Sequence, residues 1–188
     1  DCTCSYTPEQ RREKSEQLRA GRQEFLDSPA GRRVAEARER EEAALQKWLA
    51  DQPGVVIAEH GGMYPEQWSG TVDGHSFYFR ERSGEWRLEL DLRPTGRFVD
   101  VISGVDENTD EVHSAPREIE EGDIIAAGVV DSPGYGTTPV ERAQFLVDTI
   151  RTHLTRRACR LHEGGLADVA ALVGAPVRWC PACGAKLY

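Results

Sequence analysis

The sequence lacks any long hydrophobic run. None of the apolar stretches among its 188 residues approaches the roughly 18–20 residues needed to span a bilayer, and no signal-peptide pattern opens the chain. We therefore expect no membrane association and a cytoplasmic location. The single methionine does not stand at the first position, which favours processing or trimming ahead of Asp1.

The sequence also lacks the short motifs of common enzyme classes. It contains no GxGxxG dinucleotide-binding loop and no Ser-centred nucleophile elbow. One histidine, His60, could serve as a base, because Glu59-His60-Gly61-Gly62 sets it beside flexible glycines just after a predicted strand. No nucleophile or second histidine at metal spacing accompanies it. An enzyme with a site near His60 is therefore an alternative, and the sequence favours a non-enzymatic protein.

Positive charge is scarce in the middle of the chain. The whole chain carries 23 basic and 32 acidic side chains, which gives a formal charge of −9. Residues 54–138 hold six basic and seventeen acidic side chains, whereas residues 139–188 have a small basic excess. Because a negative surface repels phosphate backbones, we expect the middle segment to avoid nucleic acid and to suit a basic protein partner. The alternative is an acidic surface that only serves solubility.

Aromatic residues make up 7% of the chain, but four Trp, five Phe and five Tyr are enough to build a core and argue against full disorder. Two capping boxes mark helix starts, Thr7-Pro8-Glu9-Gln10 and Thr138-Pro139-Val140-Glu141. The first predicts a weakly amphipathic helix, followed by a second helix after Ser28 that ends at Pro53-Gly54. The other predicts a long helix with one broad apolar side.

Two tight turns predict an antiparallel meander. Asp73-Gly74 and Ser83-Gly84 each lie between runs of alternating polarity. Both turns give a register with one apolar side, which includes Trp68, Phe77, Phe79, Leu88 and Leu90 and pairs His75 with Leu92 at the buried edge. The other side carries polar residues, namely Ser76, Tyr78, Arg80, Arg87, Glu89 and Asp91.

Further strands are predicted on both sides of this meander. One covers residues 55–58, a turn at Pro94-Thr95-Gly96 leads into another at 98–102, and a last strand covers 124–130 after an acidic loop at 103–118. The predicted fold is therefore α+β, an antiparallel β-meander packed by a long helix. Its expected divisions are an N-terminal helical hairpin (1–53), the α+β core (54–158) and a C-terminal zinc knuckle (159–188).

Two pairs of metal-ligand residues lie in the C-terminal segment. Cys159 and His162 form a C-x2-H pair, seventeen residues follow, and Cys180 and Cys183 form a C-x2-C pair before Gly184. Zn²⁺ prefers four thiolate and imidazole ligands in a tetrahedron, and this separation of the pairs is typical of zinc sites. We therefore predict a structural Zn²⁺ bound by Cys159, His162, Cys180 and Cys183. Four protein ligands leave no open position for a reacting water.

The cysteines leave two alternatives open. Cys180 and Cys183 could form a redox pair, but a thiol–disulfide motif should open a helix after a strand, whereas here the chain ends five residues later. Cys2 and Cys4 could form a second-choice ligand pair with Cys180 and Cys183, could bind an additional metal alone, or could lie in a frayed terminus. The odd number of five cysteines indicates a reducing compartment.

The segment Cys180-Pro-Ala-Cys183-Gly184-Ala-Lys-Leu resembles the second knuckle of a zinc ribbon. About 30 residues of the tail are similar to the ends of many small uncharacterised proteins with a CxxH…CPxCG motif. This resemblance implies structural zinc rather than a particular activity. Leu166–Val173 departs from the ribbon pattern, because it predicts a short helix between the knuckles instead of a hairpin.

These features predict a zinc-stabilised binding or adaptor protein that acts through protein–protein contacts. The acidic middle and the N-terminal helices would contact the partner. The first alternative is a nucleic-acid-associated protein, because several arginines of the basic tail cluster near the metal ligands, namely Arg156, Arg157, Arg160 and Arg178.

Overall fold

The computed structural model describes residues 6–62, 65–105, 112–159, 161, 166–174 and 178–185. The described residues form α1 (Pro8–Asp27), α2 (Pro29–Ala50), β1 (Val55–Gly61), β2 (Glu66–Val72), β3 (His75–Arg82), β4 (Glu85–Val105), β5 (Val112–Val129), α3 (Pro139–Arg157) and α4 (Leu166–Val173). The strands make one antiparallel sheet in the order β1-β2-β3-β4-β5. This confirms the predicted α+β fold. The chain divides into two compact units, Asp1–Trp48 and Leu49–Tyr188, and no described helix could cross a membrane.

The first unit is a pair of helices. The predicted capping box is present at α1, where the Gln10 N–H donates to Thr7 Oγ1 at 3.2 Å and the Thr7 N–H donates to Gln10 Oε1 at 2.9 Å. Ser28 begins α2 and accepts from the Gly31 N–H at 3.0 Å. The large apolar side chains of α1 stay 44–65% exposed, as its weak apolar stripe predicts: Leu18, Phe25 and Leu26.

The meander has the predicted register. Trp68 pairs with Phe79, Phe79 with Leu88, and Phe77 with Leu90. These side chains are at most 2% exposed and form the apolar face of the sheet. The strict alternation of apolar and polar residues in the sequence predicts this face, because successive strand residues point to opposite sides of the sheet.

Helix α3 packs on the sheet with the broad apolar side that its sequence predicts. Its capping box is present at Thr138 and Glu141. The buried apolar residues of α3 are Ala143, Leu146, Val147 and Ile150. Burial of each large side chain among them stabilises the fold by about 1.5–3 kcal/mol. The buried Arg142 guanidinium lies 3.2 Å from the centre of the Tyr135 ring, and its Nη2 donates to the Gly136 carbonyl at 3.0 Å.

The predicted turn at Pro94-Thr95-Gly96 is wrong, because β4 continues through it. Pro94 pairs with Glu120 and Phe98 pairs with Glu118. Between these two pairs β4 advances by four residues and β5 by only two, so the extra residues of β4 form a bulge. Thr95 Oγ1 closes this bulge by donating to the Ile119 carbonyl at 2.7 Å. β4 and β5 therefore make a long two-stranded ribbon.

The predicted acidic loop at 103–118 is also wrong over most of its length. Residues 103–105 belong to β4 and residues 112–118 to β5, while residues 106–111 lie outside the described residues. Acidic side chains are compatible with these strands because carboxylates on an exposed ribbon remain hydrated while the backbone groups pair across it. The last predicted strand, at 124–130, is the end of β5 rather than a separate element.

The pairing predicted for His75 is not formed. Asp91 has a φ of +58°, and the last described β3–β4 pair is Phe77 with Leu90. The Leu92 N–H instead donates to Ser76 Oγ at 2.8 Å. His75 is 31% exposed, and its Nδ1 lies 2.6 Å from Asp91 Oδ1, so it is hydrogen-bonded at the sheet end rather than buried against Leu92.

Candidate metal centre

The first cysteine of the centre is held by the end of α3. The helix ends at Arg157, and its last turn is closed by the Ala158 N–H, which donates to the Leu154 carbonyl at 2.9 Å. The Cys159 N–H then donates to the Arg156 carbonyl at 3.2 Å. Cys159 is therefore positioned by a helix that is itself packed on the sheet.

The other two cysteines lie on one tight turn. The Cys180 N–H donates to the Ala185 carbonyl at 2.7 Å, and the Gly184 N–H donates to the Cys180 carbonyl at 2.8 Å. Gly184 has a φ of +68°, a conformation that glycine adopts without steric cost. The turn thereby directs the thiols of Cys180 and Cys183 towards Cys159.

The three sulfur atoms lie within 4.8 Å of one another, and the Sγ atoms of Cys159 and Cys180 are 3.7 Å apart. In a tetrahedral zinc site with Zn–S bonds of about 2.3 Å, neighbouring sulfurs are separated by about 3.8 Å. A disulfide would need about 2.05 Å, and none of the three cysteines is in a disulfide. The donor set and its spacing therefore fit a metal ion such as zinc.

Hydrogen bonds prepare Cys180 for metal binding. Burial alone would raise the pKa of its thiol, but hydrogen bonds from the backbone N–H groups of Cys183 and Ala182, and from the neighbouring thiols, lower that pKa to about 6. A backbone hydrogen bond at Ala185 lowers the pKa of Cys183, but burial and the competing Cys180 and Cys159 thiols together outweigh it, so the pKa of Cys183 is raised. A metal binds the thiolate form, so Cys180 offers the first charged ligand.

The remaining predicted ligands lie outside the described residues; they are His162, Cys2 and Cys4. Along the chain, helix α4 (Leu166–Val173) lies between Cys159 and the Cys180–Cys183 pair, and the sequence predicts this short helix. The structure thus supplies three converging thiols, two from one turn and one from the end of α3.

The arginines of the basic tail are in different settings. Arg157 Nη1 lies 2.9 Å from Asp91 Oδ2, so its charge is already partly neutralised by the sheet. Arg156 is exposed and lines a cavity of about 600 Å³ between α3 and β5. Arg178 is exposed, and Arg160 lies outside the described residues.

Asp91, predicted on the polar side of the meander, lies beside Arg157 at the end of α3, two residues before Cys159. It accepts from Arg157 with one carboxylate oxygen and binds His75 with the other. The hydrogen bond with Arg157, followed by that with His75, lowers the pKa of Asp91. No signal in the sequence joins positions 91 and 157, because their contact depends on how α3 lies on the sheet.

His60 lies within β1 rather than in a loop after it, which corrects its predicted placement. Its ring stacks on Trp68 with 4.9 Å between ring centres, and its side chain is otherwise exposed. Trp68 Nε1 donates to Glu66 Oε1 at 2.8 Å. The stacking gives His60 a packing role that the sequence pattern did not indicate.

No known protein family matches this chain, and neither a curated protein nor a solved structure matches it at a significant level. The chemistry of the centre therefore rests on its own residues. Those residues are three closely spaced cysteines that follow the α+β core in the sequence.

Proposed function

We propose that this chain is a non-enzymatic binding protein whose C-terminal tail is held by one structural zinc ion. The observation that carries the proposal is the convergence of Cys159, Cys180 and Cys183 within 4.8 Å. His162, three residues after Cys159 in the C-x2-H pair, would supply the fourth ligand. Bound zinc would cross-link the end of α3 to the Cys180–Gly184 turn and would leave no coordination position for a substrate.

The resemblance to a zinc ribbon belongs to this proposal. The turn from Cys180 to Gly184 has the backbone hydrogen bonds and the positive φ that a metal-binding knuckle requires. α4 (Leu166–Val173) lies in sequence between the ligand pairs, so the tail would be a variant with a helix in place of a hairpin. Such a short, loop-rich tail depends on metal binding for its folding.

The β4–β5 ribbon offers the surface for a protein partner. Phe98 is 63% exposed and Ile102 is 71% exposed, and their positions in the register place both on the same face of the ribbon as Pro116. Asp100 and Glu118 share this face. Exposed apolar groups beside carboxylates suit a partner whose own apolar patch is rimmed by Lys or Arg.

The alternative of nucleic-acid contact draws on Arg156 and Arg178, which are exposed. Arg157 contributes less to that alternative because it already pairs with Asp91. The carboxylates of the ribbon favour a protein over a polyphosphate. A salt-dependent mobility shift of the zinc-loaded chain on DNA or RNA would favour the alternative instead.

Affinity capture from the native host tests the binding proposal. The full zinc-loaded chain would be compared with Phe98→Thr/Ile102→Thr and with the control Val56→Thr, which changes an equally exposed residue (59%) on β1. We expect the same partner with the wild type and the control, and its loss with the double variant, with direct binding then shown using the purified partner. Equal capture by all three proteins would exclude the ribbon face, and capture of nucleic acid by all three would support the alternative.

A further inference from the structure

A cavity of about 520 Å³ lies on the polar side of the sheet, away from the metal centre. Its lining includes Arg80 and Arg82 from the end of β3, Arg87 from β4, and the apolar Ile124 and Ala127 from β5. Residues 54–138 contain only six basic side chains. Half of them therefore line one cavity in the most acidic part of the chain.

Two of these arginines stand directly opposite each other. Arg80 pairs with Arg87 in the β3–β4 register, and like charges on directly opposed strand residues destabilise a sheet. Arg82 follows two residues later on the same face and is opposed by Glu85. Glu85 therefore offsets one of the three charges, and the cavity keeps a positive excess.

The existing carboxylates offset the charge of Arg87 but not that of Arg80. Arg87 Nε lies 2.9 Å from Glu89 Oε1. The side chain of Arg80, however, has no hydrogen bond or ion pair with any residue that the structure describes, and its Nε is buried. By contrast, Arg93 and Arg97 on the ribbon are both ion-paired, with Asp123 and Glu121. A buried donor without a partner costs free energy, so Arg80 is poised for an acceptor from outside the chain.

We propose that this cavity binds a phosphate group between Arg80 and Arg87. Guanidinium groups form paired hydrogen bonds with phosphate oxygens, and a doubly charged anion would convert the Arg80–Arg87 repulsion into attraction. Ile124 is 63% exposed at the wall of the cavity and would contact an apolar group carried by the phosphate. The ligand class is therefore a phosphomonoester of a small molecule, with free phosphate as the simpler source of the same chemistry.

Titration of the full-length chain with inorganic phosphate and with phenyl phosphate, in a low-salt buffer free of other oxyanions, tests this proposal. Binding would be followed by calorimetry for the wild type, Arg80→Gln and the matched control Arg93→Gln. We expect saturable binding by the wild type and the control, and affinity about 10-fold or more weaker for Arg80→Gln, because charge-assisted hydrogen bonds are lost. Tighter binding of phenyl phosphate would identify the phosphomonoester as the ligand, and equal binding would identify free phosphate.

A stability measurement guards against misfolding of the variant. Removing one of two opposed like charges should leave the melting temperature of Arg80→Gln without phosphate equal to or above that of the wild type. Phosphate should then raise the melting temperature of the wild type but not that of Arg80→Gln. Absence of binding to the wild type at millimolar phosphate, or equal weakening in Arg80→Gln and Arg93→Gln, would overturn the proposal.

Discussion

Arg151 of α3 fixes Asp73 in the turn between β2 and β3. Its Nε lies 3.1 Å from Asp73 Oδ2, and its Nη2 lies 3.2 Å from Asp73 Oδ1. The same Nη2 donates to the Pro53 carbonyl at 2.8 Å, just before β1. One side chain of the packed helix therefore ties the first hairpin turn to the entrance of the sheet.

The variant Asp73→Asn should remove the charge while keeping the turn, because Asn also tolerates the positive φ of +50° at this position. Both side chains are more than one third exposed. We therefore expect the variant to lose about 0.2–1 kcal/mol in the free energy of unfolding. This loss should be smaller at high salt, because salt screens the ion pair of the wild type. Urea unfolding at low and high salt measures both effects.

The stability difference between the wild type and Asp73→Asn should depend on pH. The hydrogen bond with Arg151 lowers the pKa of Asp73 in the folded chain, while the unfolded carboxyl titrates near pH ~3.9. The stabilisation is therefore complete above that value and is lost as pH falls through the lower, folded pKa. Wild type and Asp73→Asn should converge in stability on acidification, and a gap that stays constant down to acid pH would contradict the ion pair.

The two capping boxes form a matched experiment. At α3, Glu141 accepts from the backbone N–H groups of Thr137 and Thr138 at 2.9 and 3.0 Å, and these bonds lower its pKa to about 2. Because α3 carries core residues, Thr138→Ala should lower the free energy of unfolding by about 0.5–2 kcal/mol. Thr7→Ala removes the same motif from the exposed α1 and should leave the unfolding of the sheet unchanged.

Fluorescence of the buried Trp68 and Trp86 reports the unfolding of the sheet, and far-ultraviolet circular dichroism reports the helices. The expected pattern is a lower urea midpoint for Thr138→Ala and lower helicity alone for Thr7→Ala. Equal shifts of the fluorescence midpoint in both variants would show that α1 is as tightly coupled to the core as α3.

Gly70 is a position where the sheet has no room for a side chain. A Cβ added there would lie 2.0 Å from the Val56 carbonyl oxygen, so Gly70→Ala must push β1 away from β2. We expect a destabilisation of about 1–3 kcal/mol and faster hydrogen exchange in β1. The control Gly21→Ala has nothing within 4 Å and should stabilise α1 by about 1 kcal/mol; unchanged exchange in Gly70→Ala would contradict the β1–β2 pairing.

The sequence predicted the β2–β3–β4 register because two turn signals and strict alternation of residues such as Phe77, Phe79 and Leu88 gave the same answer. It failed at Pro94-Thr95-Gly96, because proline and glycine are equally suited to turns and to strand bulges. Only the pairing of Phe98 with Glu118 distinguishes these two outcomes. That pairing depends on a distant strand.

The spacing of the cysteines in the sequence was enough to predict the candidate metal centre, but not how its two parts come together. The C-x2-C pair implied a tight turn, and the turn closed by Gly184 is the one that the structure contains. Cys159 reaches this turn because of the length of α3 and the way in which α3 packs on the sheet. Likewise, local sequence could not show that Arg157 is bound to Asp91, since that ion pair exists only once α3 is docked.

Zinc content provides the most direct prediction for the tail. Purified wild-type chain should contain one zinc per molecule by elemental mass spectrometry. Cys183→Ser should lose the zinc, because serine offers a poor ligand in place of a thiolate. Cys4→Ser is the matched control and should keep one zinc. Two zinc ions in the wild type, or equal retention by both variants, would contradict the predicted set of four ligands.

Removal of the zinc should unfold the tail and spare the sheet, because the buried apolar side chains that join the sheet to α3, such as Phe77, Leu88 and Leu146, lie outside the tail. Trp179 lies in the tail and is 57% exposed, whereas Trp68 is 2% exposed in the sheet. Chelation should therefore speed hydrogen exchange at residues 178–185 while the amides of β2 and β3 stay protected. If chelation also exposed Trp68, the ion would stabilise the whole unit rather than its tail, and the boundary between core and metal centre would have to be abandoned.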